Sequence, residues 1–574
     1  MSKFQDTINR LVPGLSREEL ADFVLNVSRK IPEEFRTTFL RELQRVRVTS
    51  RPEPQTNTDP DQLRAELAQV RERLDDIESG ALTVDSEFGP GKWDWDVYDL
   101  EDYVFTDPMG VGDLLEQAAS LVSRLAAAGM PEEASELTLL LLDVAVEISG
   151  DGEEEEPLGM EDLLEVGIVP QTVRFRLIDG LYALYSMEPT PERIEELFIV
   201  LCSDTLSVTL KDLLRGREPD KEHNERFLHL WVQMAGESDR RASEALLIEA
   251  ISTLAEGAET LSLVRRYGAS HPGLYEWLLT PGNWTEDPEL LLTVGEQALP
   301  ELKAAGANCA EIALLCADSA LKVGKKGRAE EFWLDAFQSE PHALSLLRLV
   351  AESEDYNRYR ARVEETVAKF TEKQRLQKDG STNPYLHRML LSDEMELAFL
   401  SGDYHRVLRE GLACDEYLGW SLTPVKKCID FLLFALDSSG DGEALERVWM
   451  SAGSWLGFNT LEYGKGLNRT IGGDGKDELK RCLRRWKEYH PMPPLLREAS
   501  MERLKTLLAN RTEAIARGQK RNYYEECACW LAAFGALQEA NGVDHALNNL
   551  IDQYEARYPR HSALRRELEV FRKR

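Results

Sequence analysis

The stretch CAEIALLCADSALKVGKKGRAEEFWLDAFQSEP, residues 309 to 341, shows the helical period of this chain in its plainest form. Two apolar runs are parted by Gly324 and closed by Pro341, without the strict alternation that marks a strand. The same grammar extends on both sides. From about residue 113 to 376, amphipathic runs of helical length follow one another across short turns of Gly, Pro, Asp and Asn, with no convincing strand pattern between them. Consecutive helices with short connections pack antiparallel. The expected fold is therefore all-α, an α-solenoid of antiparallel helix pairs with a smaller C-terminal helical domain.

Towards the N-terminus the helical reading continues in a smaller unit. Ser16 and Glu19 form a capping-box pattern, and Leu20, Phe23, Val24 and Val27 recur at spacings of three and four. Residues 1–47 read as a small helical module, followed by the polar, Pro-rich VTSRPEPQTNTDP. Leu63, Leu67, Val70, Leu74 and Ile77 then form an a/d seam of about two heptads, which reads as a surface helix docking on a neighbour, with a coiled coil as the alternative. Periodicity stops over residues 80–112. There FGPGKWDWDVYDLEDYVF sets Trp93, Trp95, Tyr98, Tyr103 and Phe105 among acidic residues. Rings for area and carboxylates for steering suit a basic partner groove; a long loop tucking its rings onto its own core is the plainer alternative. Residues 48–112 are thus an acidic linker with one helix and an aromatic loop.

Beyond the repeat region, RLQKDGSTNPY at 375–385 has the composition of a boundary, so domains are expected at 113–376 and 385–574. A softer break is expected near 475, after the Gly-rich YGKGLNRTIGGDGKDE. The stretch YLGWSLTPVKK at 417–427 reads as an exposed, protease-accessible loop, with Leu422, Thr423, Pro424, Val425, Lys426 and Lys427 as its candidate residues.

Composition bounds the function. At 574 residues with 43% apolar residues, the chain can bury a large core, so its net charge of -34 belongs to the surface. Residues 51–160 hold 28 acidic against 6 basic residues, whereas 476–574 hold 20 basic against 14 acidic. Such a surface argues against nucleic acid as a partner, because those binders depend on neutralising phosphates. The basic helix with Arg481, Arg484, Arg485 and Lys487 reads as a solvated face, an internal dock for the acidic region, or a nucleic-acid patch. No apolar run is long enough for a membrane span or signal peptide, and the cysteines form no CxxC pair, most of them sitting in apolar helical runs. A cytoplasmic protein with no cofactor is expected.

Motif chemistry is sparse. His223 and His229 lie six apart, on different helix faces, and neither HExxH nor a CxxC-to-HxxxH spacing occurs. GGDGK at 472–476 lacks the upstream glycine and following hydroxyl of a phosphate loop, having Thr470 and Asp477 there. There is no GxSxG elbow. DGEEEEP at 151–157 is a solvated acidic loop or a docking tail.

The opening stretch resembles the tetratricopeptide unit. Ala317 and Ala320 match the small and packing positions of its first helix and Gly324 the turn. Ala329, Trp333 and Ala336 match the inner face of its second helix, and Pro341 the exit, while Ala313 stands where that family has tryptophan. Degenerate echoes occur at Gly129 and Ala134, at Gly402, Tyr404 and Val407, and at Gly535, Gly542, Ala546 and Pro559. The resemblance implies close helix crossings at the alanines and a concave protein-binding face. The tail at 522–568 is similar to the helical tails of bacterial SWIM-finger proteins. Cys527 and Cys529 lie in an apolar helix, however, and no CxH pair follows, so the zinc-binding part of that family is missing.

In size, acidity and helical character the chain also resembles the helical protein of type III-E CRISPR systems that an RNA-guided caspase-like protease cuts. That likeness implies a bacterial antiviral defence role, a protease and a sigma factor as partners, and a proteolytic switch. The functional expectation is a non-enzymatic scaffold that binds or sequesters a protein; the alternative is a hydrolase or protease whose site is assembled from distant residues.

Overall fold

The computed structural model describes residues 59–572 apart from 89–102, 151–155, 204, 207, 216–220, 381–383, 414–423 and 438–441. The module expected at 1–47, most of the linker after it, and Trp93, Trp95, Tyr98, Leu422 and Thr423 lie outside the described residues. Helices account for 73% of the structure and strands for 3%, which makes the fold all-α. The chain divides into two compact units, Met1–Ala255 and Glu256–Arg574.

In the first unit, helix α1 (Pro60–Glu78) begins where the Asp59 side chain accepts from the Asp61 amide and Pro60 presets the first turn. Its apolar seam, Leu63 to Ile77, is buried, and α1 packs on α2 (Val111–Ala127), where Arg124 pairs with Glu66 at 2.6 Å. Helix α2 also packs on α3 (Pro131–Leu142) and, beyond the short α4 (Met160–Glu165), on α5 (Thr172–Ser186). Helices α3 and α5 approach so closely that a Cβ on Gly180 would stand 1.8 Å from the Thr138 hydroxyl. Helices α6 (Pro191–Ser203), α7 (Leu210–Arg215), α8 (Lys221–Glu237) and α9 (Ser243–Leu254) complete the unit.

Strands also occur here, contrary to expectation. β1 (Val84–Phe88) pairs antiparallel with β2 (Tyr103–Thr106) and parallel with β4 (Ile148–Gly150), while β3 (Ala145–Val146) pairs antiparallel with β5 (Leu158–Gly159). Runs of two to five residues are too short for alternation to stand out, and the inward residue beside Val84 is the polar Ser86.

The second unit opens with α10 (Ala258–Tyr267), α11 (Gly273–Leu279), α12 (Pro288–Ala304), α13 (Ala310–Lys322), α14 (Lys326–Ser339) and α15 (Ala343–Glu352), each packed on the next. There follow α16 (Arg360–Asp379), α17 (Pro384–Leu400), α18 (Tyr404–Ala413), α19 (Pro424–Leu436), α20 (Glu443–Trp455) and the single turn α21 (Thr460–Gly464). The last five are α22 (Lys476–Tyr489), α23 (Pro494–Arg517), α24 (Tyr524–Ala540), α25 (Ala546–Arg557) and α26 (Ser562–Glu569). Glycine and cysteine make the close crossings. A Cβ on Gly295 of α12 would meet the Cys316 sulfur at 2.2 Å, and one on Gly411 of α18 would meet that of Cys428 at 2.4 Å.

The division at Ala255 is not the one expected. The polar break near 380 falls inside the second unit, because α15 packs against both α17 and α22 and the apolar face of α17, with Leu397, Phe399 and Leu400, is buried in that shared core. The softer break near 475 behaves likewise: Leu479, Cys482, Leu483 and Trp486 of α22 are buried just beyond it.

Candidate functional site

Helices α13 and α14 hold Ala317, Ala320, Ala329 and Ala336 with at most 1% of each residue exposed. Gly324 reverses the chain at φ +75°, a left-handed conformation that costs glycine little, and the Lys325 amide closes the helix end on the Ala320 carbonyl at 2.8 Å. Pro341 follows the end of α14. Trp333 is buried, and its indole Nε1 donates to the Gly466 carbonyl, 133 residues away in sequence, at 2.8 Å.

That bond belongs to a larger contact. The Gly-rich segment read as an interruption lies across α13, α14 and α15. The buried Arg348 guanidinium of α15 donates to the Tyr463 carbonyl at 3.0 Å and also to the Glu462 carbonyl. The Asn468 amide donates to Asp318 of α13 at 2.6 Å, and Lys465 pairs with Glu311 at 3.0 Å. Gly466, at φ +72°, sits so close that an added Cβ would be 3.0 Å from the Leu314 carbonyl oxygen. Tyr463 is fully buried and its hydroxyl donates to Glu352 at 2.7 Å.

Around that hydroxyl, Glu352, Glu478 and Cys482 bring three ligand-type atoms within 4.8 Å of one another. Arg469 pairs with Glu352 at 2.8 Å and Glu478 at 2.5 Å, and Arg481 reaches both carboxylates as well. Burial pushes the Cys482 thiol up to about 12, and its Sγ donates to the Tyr463 hydroxyl at 3.0 Å. The cluster is therefore an ion-paired clamp that fixes the segment between α15 and α22.

At the other end of the same helices lies a cavity of about 720 Å³, bounded by the C-terminal end of α14, the first turn of α15, and α16 and α17. Gln374 and Phe370 of α16 line it, with Asp393 and Glu396 of α17. Glu396 accepts from Lys427 of α19, which also donates to Ser392. Burial lifts both the Asp393 and the Glu396 carboxyls above their ordinary range, with the Lys427 charge opposing it. Motif search passes over these residues. Their signal is a run of acids, Asp393, Glu394 and Glu396, on a helix that turns apolar from Leu397 onward.

The other candidate residues fare differently. Of the partner-contact aromatics within the described residues, Tyr103 is buried and Phe105 half-buried in strand β2, whose outward residue is Val104, so the two rings belong to the sheet and not to a free loop. Pro424 to Lys427, expected in an exposed loop, instead form the first turn of α19. Pro424, Val425 and Lys427 are buried, and Lys426 pairs with Glu526, because the apolar face of that helix starts at Val425. None of the described helices is long and apolar enough to cross a membrane. Compared with family models, curated proteins and solved structures, the chain matches none.

Proposed function

We propose that this chain is a non-enzymatic helical-repeat scaffold that holds a protein partner. The observation that supports this most is the segment Asn459 to Thr470 lying on α13, α14 and α15. Buried Trp333 and Arg348 hold it through its main-chain carbonyls, a chemistry suited to an irregular stretch of chain whatever its sequence. A surface with net charge -34 adds steering towards a basic partner. Burial pushes the thiols of Cys316, Cys428, Cys527 and Cys529 up to about 12, the condition of packing residues and not of nucleophiles. The test is to purify the tagged full chain from its native cell at low salt and measure the association of what accompanies it. A stoichiometric protein whose on-rate falls several-fold between low and physiological salt, with little change in off-rate, is expected. A chain recovered without a stoichiometric partner, or an on-rate indifferent to salt, overturns the reading.

A further inference from the structure

We propose that the groove over α13, α14 and α15 is a docking site for an irregular, basic segment of a partner protein, and that the chain's own loop from Thr460 to Gly475 is an exchangeable stand-in for that segment. The inference rests on the scaffold reading and names the surface and the chemistry which that reading leaves open. What the groove recognises follows from what it now holds. Trp333 donates to the Gly466 carbonyl at 2.8 Å, Arg348 donates to the carbonyls of Tyr463 and Glu462, and Asp318 accepts from the Asn468 amide at 2.6 Å. All four bonds go to main chain, which a groove can read whatever the side chains are. Side chains then add a pattern. Tyr463 and Leu467 are buried, Lys465 meets Glu311 at 3.0 Å, and Arg469 meets Glu352 at 2.8 Å. Position 466 must be glycine, because its φ is +72° and an added Cβ would stand 3.0 Å from the Leu314 carbonyl oxygen. A partner segment is therefore expected to run aromatic, any residue, basic, glycine, aliphatic, any residue, basic.

Two features make the present occupant replaceable. The loop is closed at its neck: a Cβ on Gly475 would stand 2.3 Å from the Thr460 side chain, so the loop leaves and rejoins the chain at one place. It can thus swing away while α20 and α22 stay where they are, with Gly457, Gly473 and Gly475, all at positive φ, as its pivots. The fit is also incomplete. A cavity of about 490 Å³ remains between α13 and the loop, with Leu314 and Leu315 on one wall and Lys465 and Arg469 on the other, and Leu461 of the loop is 78% exposed. A tethered loop competes at an effective concentration on the order of millimolar, so a free segment has to bind more tightly than the loop does. Filling that cavity supplies the advantage.

The experiment uses the full chain and a fluorescent peptide with the sequence of residues 459–470, followed by anisotropy. In Gly466→Val the tethered loop cannot seat, while every residue of the groove is intact. That variant is expected to take the peptide saturably, at least about tenfold more tightly than the parent, and to lose the gain when Trp333→Phe is added. A peptide carrying the same Gly466→Val change is expected not to bind. Absence of saturable binding in a Gly466→Val chain that keeps the parent's circular dichroism, or equal binding of the two peptides, overturns the proposal. If Gly466→Val fails to fold, hydrogen exchange in the parent decides. The Asn468 amide, whose bond to Asp318 is lost when the loop leaves, should exchange at least about tenfold faster than the buried amides of α13 and α14; exchange no faster than theirs overturns the proposal. The two readings fail separately. A native partner whose binding is unaltered by Gly466→Val keeps the scaffold reading and overturns this groove as its site, whereas glycine-dependent peptide binding by a chain recovered without a partner keeps the groove and overturns the scaffold reading.

Discussion

Ala329 is legible as a packing residue from sequence because its neighbours keep helical register, and in the structure none of its surface is exposed. Replacing it by leucine inserts three carbons where α13 and α14 touch, so Ala329→Leu is expected to lose about 1–3 kcal/mol in chemical denaturation. Two titrating residues were not legible, since burial is a property of the assembled core. His490 stacks on Trp486, and burial, aided by the facing Arg360 charge, pushes it down to about 4. Asp430 accepts from Ser451 and from the indoles of Trp455 and Trp530, yet burial pushes its carboxyl up to about 6. The signs are opposite. The unfolded state protonates His490 near 6.5 while the folded state resists until about 4, so stability is lost as pH falls through that window. The folded state protonates Asp430 near 6, before the unfolded chain does at 3.8, so acidification over that window adds stability. Each contribution amounts to about 1–2 kcal/mol between pH 7 and 5. Urea denaturation at those two pH values should therefore show Asp430→Asn losing more stability than the parent on acidification, and His490→Phe losing less. Parallel pH dependence in all three proteins would show that neither group titrates in that window.

At the scale of elements, the helices follow from local pattern and the clamp does not. The period of α13 and α14 is written in every third or fourth residue, whereas YGKGLNRTIGGDGKDE has no period, and its glycines and asparagine read as a turn between helices. Its place is fixed by partners far away in sequence: Trp333 and Arg348 meet its carbonyls, and Glu352 meets Tyr463 and Arg469. The sequence does contain one hint, a glycine at 466 flanked by Lys465 and Leu467 where a flexible linker would accept any small polar residue. Gly466 needs both its left-handed φ of +72° and the missing Cβ, so Gly466→Ala is expected to lose roughly 1–3 kcal/mol. Hydrogen exchange gives the specific readout. Amides of Tyr463 to Leu467 should lose protection in the variant while those of α24, in the same unit but away from the clamp, keep theirs. Equal loss in both would mean that the segment is no separate clamp but part of one indivisible core.

For the whole molecule, the all-α class is visible in composition and period, but the division into units is not. The break at 375–385 looks like a linker because its residues are polar. Polarity at a helix end says nothing, however, about whether the apolar faces on either side meet. Here they do: Phe399 of α17 stacks on Phe431 of α19 at 4.1 Å and lies 4.6 Å from Trp486 of α22, and α22 packs in turn on α15. The consequence concerns proteolysis. A cut between residues 413 and 424 leaves α18 and α19 packed through Gly411 and Cys428, and leaves Trp333 and Arg348 on the N-terminal fragment holding Gly466 and Tyr463 on the C-terminal one. Separation would expose those buried rings and give up the hydrogen bonds of Trp333 and Arg348 to the carbonyls of the other fragment, a cost of many times RT. A chain nicked there by an engineered protease site is thus expected to show two bands on a denaturing gel yet elute as one species in native gel filtration, with unchanged helical circular dichroism. Coupled lesions should then release the fragments: Arg348→Leu in the nicked chain removes the charged link without touching the cut, and is expected to give two peaks or a sharp loss of melting temperature. If instead the nicked parent falls apart unaided into two folded pieces, the shared core on either side of residue 380 is too weak to count as one unit.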